Sequence, residues 1–153
     1  MSNRWVFLSA FLTAVLIIAG AFTLSQFFYF ELVKSAIFVA IAMLVFFNED
    51  KFGYMLGIVF PPVWFLVDIL MGTLVADLTV TFRYLTGKSI GMIASPADGF
   101  ARIVAIFLFF SALHAWRKEV PEKMFGKTFW VSLVISVAYV GLLGFWYVTR
   151  VAS

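Results

Sequence analysis

The feature that most constrains this chain is a series of apolar runs of about twenty residues, the length an α-helix needs to cross a hydrocarbon core of about 30 Å. Short polar joints separate them. A soluble domain of 153 residues has too much surface for its volume to hide so many such runs. Residues are 64% hydrophobic and only 12% charged, whereas soluble domains carry about a quarter charged. The medium that solvates most of this surface is therefore lipid. The expected fold class is all-α, a polytopic transmembrane helical bundle of about five spans, with residues 1–153 forming a single integral membrane domain.

The spans are predicted over about 5–25, 28–47, 52–75, 96–116 and 128–148. Arg4 and Trp5 mark the first interface, where a cation and an interfacial aromatic belong. Arg4, the following apolar run and Ala19-Gly20-Ala21 also fit the pattern of a signal peptide. The segment reads here as a retained first span. The turn to the second span is only a few residues long, so the first two spans form an antiparallel hairpin. Asn48-Glu49-Asp50-Lys51 closes the second span. Ser95-Pro96-Ala97-Asp98 reads as a helix start, with Ser95 as N-cap, Pro96 at the first helical position and Asp98 as a capping-box acid. Trp130, Trp146 and Tyr147 stand near the two ends of the last span, and Arg150 closes it.

The third segment is the least ordinary. It carries Pro61-Pro62, Asp68, Asp77 and Arg83 between Phe52 and about Thr86. A proline inside a helix removes a hydrogen-bond donor and crowds the preceding turn, so a kink is expected at Pro61-Pro62. Two registers are open. A span starting at Phe52 puts Asp68 about 24 Å along and leaves Asp77 beyond the core, at about 1.5 Å per residue. A span starting at Pro61 puts both aspartates in lipid and makes residues 52–60 a re-entrant or interfacial piece. The first register buries fewer charges and is favoured, because carboxylates in lipid are costly.

Five spans place the termini on opposite sides. Arg4, Lys51, Arg117, Lys118, Lys123 and Lys127 gather on the N-terminal side, four of them in one short loop. Arg83, Lys88, Arg102 and Arg150 fall on the other side, and Lys34 is assigned to neither. The positive-inside rule then predicts a cytoplasmic (inner) membrane protein with its N-terminus in the cytoplasm. The net charge of +3 is scattered over loops and reads as a topology signal, so no nucleic acid is expected as a partner.

Several chemistries lack their parts. With no cysteine there is no thiolate metal site, iron–sulfur ligation or thiol catalysis. The sequence shows no Gly-rich phosphate loop before a helix. His114 is the single histidine. One imidazole suffices as an axial ligand for a pigment or haem, and His114 is the residue that would serve. Its place three residues before Arg117 instead suits a structural or surface histidine. No metal site and no dedicated cofactor is expected, beyond lipid or such a His114-bound pigment.

The residues that carry chemistry lie mostly on the third segment. Asp68, Gly72, Ala76, Thr79 and Arg83 recur at three- and four-residue spacing and are expected to share one helix face. Gly72 and Ala76 make a small-xxx-small pair suited to close helix packing. Asp77 lies on an adjacent face. Glu31 and Lys34, at i and i+3 on the second span, pair on one surface. Asp68, Asp77, Arg83, Glu31 and Lys34 are thus the candidates for an intramembrane polar or ion path. The competing reading is a helix–helix seam in which Asp68 pairs with a base from another span, and an interfacial ion pair of Glu31 with an outward-snorkelling Lys34. The short loops and the small-residue pair favour a non-catalytic structural or accessory subunit of a larger membrane complex, with the lipid bilayer and other membrane subunits or itself as partners. The alternative is a small oligomeric ion or solute transporter or channel using Asp68. A membrane enzyme that holds a metal through Glu31, Asp68 or Asp77 is the third class.

Overall fold

The computed structural model describes residues 2–23, 28–47, 50–88 and 96–151. Six α-helices account for nearly all of them: α1 (Ser2–Thr23), α2 (Phe28–Phe46), α3 (Asp50–Met71), α4 (Thr73–Leu85), α5 (Pro96–Glu119) and α6 (Lys127–Trp146), the last continuing as a π-helical turn over Tyr147–Val151. Five helices are long and apolar enough to cross a membrane, and α4 is not one of them. The turn between the first two spans, Asn48-Glu49 and the expected N-cap Ser95 lie outside the described residues.

The helices form one bundle. α1 packs along both α2 and α5, and α3 lies against α2, α5 and α6. Lipid tails are as apolar as leucine, so hydrophobicity alone does not draw helices together in a bilayer; close packing and polar contacts do. The sequence supplies both. Val6, Ala10, Ala14, Ile17 and Ala21 are buried along one face of α1, and Ala101, Ala105, Leu108, Ala112 and Ala115 along one face of α5. Their spacing of three and four residues keeps each set on a single stripe. The small-residue seam thus sits on α1 and α5. Hydroxyls buried in these helices satisfy themselves on the preceding turn, as where Thr13 Oγ1 donates to the Ser9 carbonyl at 2.7 Å.

α3 is the central helix, and it runs without interruption through Pro61 and Pro62. It is buried almost continuously from Gly53 to Pro61. The span expected over 52–75 ends earlier, at Met71. Gly72 adopts a left-handed conformation, φ 74°, which L-residues with a Cβ seldom take up. The chain therefore breaks direction there, and α4 is a separate helix packed on α5. One consequence corrects the sequence reading. Asp68, Ala76, Thr79 and Arg83 do not share a face, because the helix that would align them stops at Gly72. Gly72 has nothing within 4 Å of where a Cβ would stand, and Ala76 is exposed, so this pair is no seam within the bundle.

At the end of the bundle that carries the N-terminus, polar groups tie the helices together. Tyr54 of α3 donates to Glu119 of α5 at 2.6 Å, and Asn3 of α1 meets the same hydroxyl. Lys51 pairs with Glu122, whose other oxygen accepts from Thr128 at 3.2 Å. The hydrogen bond from Lys51 holds the exposed Glu122 carboxyl below its ordinary range.

Candidate functional site: a buried ionic network at the opposite end

The opposite end holds a network of charged side chains contributed by four helices. It is assembled from Glu31 and Lys34 of α2, Asp68 of α3, Asp77 of α4, and Asp98 and Arg102 of α5, all of them buried. Each position lies a few residues inside its helix end. Asp68 is three residues from the end of α3, and Lys34 and Arg102 are six residues into α2 and α5. At about 1.5 Å per residue the network sits roughly 5–10 Å below the ends of the helices.

Arg102 is its hub, with 3% of its surface exposed. Nε and Nη2 both reach Asp68 Oδ2 at 2.8 Å, while Nη1 reaches Asp77 Oδ2 at 2.6 Å and the Asp98 carbonyl at 3.1 Å. Only arginine presents a fixed planar fork that serves two carboxylates in this way. Asp68 is fully engaged, because Thr73 Oγ1 at the start of α4 donates to its other oxygen at 3.1 Å. The break at Gly72 folds α4 back so that Thr73 and Asp77 both face the network. α4 then closes on α5 through Thr81, whose hydroxyl donates to the Asp77 carbonyl at 2.9 Å and lies 3.2 Å from the Pro96 carbonyl.

The second half of the network is built around Lys34. Its Nζ lies 2.6 Å from Glu31 Oε2 and 4.0 Å from Asp98 Oδ1. Glu31 and Lys34 pair as their spacing predicts, but Lys34 points into the bundle and does not snorkel outward. Trp64, one turn below Asp68 on α3, separates the network from the apolar core. Its ring lies 5.1 Å from Arg102 Cζ and 5.8 Å from Lys34 Nζ, so one aromatic ring serves two cations.

Of the residues singled out in the sequence, Glu31, Lys34, Asp68 and Asp77 converge here. Arg83 does not. It is exposed, and with Thr79, Phe82 and Lys88 it lines an open surface cavity of about 460 Å³. His114 is exposed on α5, one turn from Arg117. The sequence reading missed Arg102, Asp98 and Trp64. In the sequence Arg102 reads as one of the charges that set topology, and Asp98 as a capping acid. Asp98 in fact turns its carboxylate to the interior, against Gly20 of α1. One signal was available, since Asp98 and Arg102 stand at i and i+4 near the start of a predicted span. Among the described residues, no group of three or more His, Asp or Glu is arranged to hold a metal ion.

Asp77 belongs to α4, outside the spans, and burial pushes its carboxyl up to about 6 against the attraction of Arg102, with the Asp98 and Asp68 charges adding to the rise. A carboxyl whose pKa is higher in the folded state than its ordinary value of 3.8 favours folding when protonated. Its contribution is fully present below that ordinary value and lost as pH rises through about 6. Thermal unfolding in detergent should therefore show stability falling over this interval, and Asp77→Asn should flatten that part of the profile. An unchanged profile in the variant would assign the titration elsewhere.

Comparison with family models, with curated proteins and with solved structures returns no match for this chain.

Proposed function

We propose that this chain is a non-catalytic accessory subunit of a larger membrane complex, packing through its helices against other membrane subunits or further copies of itself. The observation that supports it most directly is the closure of Asp68. Its two oxygens are taken up by Arg102 and Thr73, as in a helix–helix seam, and not turned towards an open path. Short connections support the same reading, since the joint between α5 and α6 leaves no room for a soluble catalytic domain. With Arg102 buried in ion pairs, the flanking cations lie more heavily on the N-terminal side, which supports a cytoplasmic N-terminus in an inner membrane. Purification in a gentle detergent is expected to yield a defined assembly larger than one chain. A folded, monodisperse monomer would remove the proposal.

A second reading, a small oligomeric ion or solute transporter using Asp68, is favoured by one observation: charged groups inside a membrane are costly, and the spans keep five of them in one place, with Asp77 of α4 joining them. Reconstituted into liposomes, such a protein would carry an ion flux that Asp68→Asn abolishes while the fold persists. Flux that is indifferent to this change would take Asp68 out of the mechanism.

A further inference from the structure

The network is unbalanced. Four carboxylates, Glu31, Asp68, Asp77 and Asp98, face two cations, Lys34 and Arg102. The imbalance falls unevenly. Arg102 answers Asp68 and Asp77 at hydrogen-bond distance, whereas Lys34 alone faces Glu31 and Asp98. Asp98 is only 4% exposed, and its Oδ1 is buried without a hydrogen-bond partner. The nearest cation, Lys34 Nζ, stands 4.0 Å away, beyond hydrogen-bond reach. On its other side the same oxygen lies against Gly20, where an added Cβ would come within 2.9 Å of it. A carboxylate oxygen that is desolvated, without a hydrogen bond and dependent on a cation already paired with another carboxylate is among the costliest arrangements a protein interior can hold. Two acids that depend on one cation relieve such a site by taking up a proton.

We propose that the Glu31–Lys34–Asp98 side of this network is a proton-binding site, in which the carboxylate pair takes up one exchangeable proton beside the Lys34 ammonium. Uptake places the proton on a carboxylate oxygen and lowers the excess negative charge by one; release returns it to the aqueous phase at the near end of the bundle. The groups that face the site are Glu31 and Lys34 on α2, Asp68 on α3, Asp77 on α4 and Arg102 on α5; α1 contributes the uncharged Gly20. The site stands whether the chain serves as a subunit or as a transporter.

The test is infrared difference spectroscopy of the full chain in liposomes, stepped from alkaline to mildly acidic pH. A carbonyl band of a buried protonated carboxyl should be present and should respond to the step. It should be lost or displaced in Asp98→Asn and in Glu31→Gln, and it should survive in Asp77→Asn. Where a variant fails to fold by circular dichroism, carboxyl-labelled aspartate or glutamate in the unaltered chain assigns the band instead, and the label should shift it. No buried-carboxyl band at any pH would overturn the proposal. So would a band lost only in Asp77→Asn, or a site that responds to sodium in place of protons.

Discussion

Replacing Arg102 with methionine is expected to destabilise the protein by about 3–5 kcal/mol near neutral pH, the usual cost of removing one partner from a buried ion pair. The loss should be large because one guanidinium holds both Asp68 and Asp77, with three nitrogens at 2.6–2.8 Å from their oxygens. Without it, two carboxylates stay buried beside Asp98 and Glu31 with Lys34 as the nearest cation of the network. Lowering the pH should recover part of the stability, since protonation neutralises the orphaned acids. Arg102→Lys should fall between the two, because an ammonium keeps the charge but lacks the fork that spans two carboxylates. The measurement is the midpoint of thermal unfolding in detergent across pH. A methionine variant as stable as the parent at every pH would mean that the network contributes nothing to holding α3, α4 and α5 together.

The second large effect is expected at Gly99, where α4 crosses α5. A Cβ at this position would stand 1.8 Å from Thr81 Oγ1, 2.8 Å from Thr81 Cβ and 2.9 Å from the Asp77 carbonyl oxygen. Two of these three are not the free end of a flexible side chain, so α4 itself must move. Gly99→Ala should cost about 1–3 kcal/mol, the range for overpacking a close contact. It should also lift α4 from the bundle, raising hydrogen exchange of the α4 amides selectively. Combining it with Thr81→Ala should restore only part of the loss, because the clash with the Asp77 backbone remains. Exchange that rises uniformly through the protein, or not at all, would show that α4 is not held at this crossing.

Both effects concern residues whose importance the sequence only partly exposed. Hydropathy pointed to five helices long and apolar enough to cross a membrane, and the structure contains five, because a helix must satisfy its own backbone in lipid and needs a fixed length to do so. It also singled out Glu31, Lys34, Asp68 and Asp77, since ionisable groups within or beside a span are rare enough to notice. It misplaced Arg102 and Asp98 because they lie within two turns of a helix start. In one dimension such residues cannot be told from caps and topology charges. The end of α3 was hidden too: Gly72 reads as a packing residue in sequence, and only its φ of 74° shows that it breaks the helix.

The apolar runs by themselves determined that this is a helical bundle with five helices able to span a membrane, since their length and composition leave no other medium for them. What only the tertiary structure decided is where the charges go. Pairing depends on which helix ends come together and at what rotation, and neither is written in any one segment. Asp68 meets Arg102 across 34 residues of sequence, and Lys34 meets Asp98 across a longer separation, because α2, α3, α4 and α5 bring these side chains to the same end of the bundle. There the low dielectric makes each unpaired charge expensive, so the side chains that meet there are held as ion pairs wherever a cation reaches them.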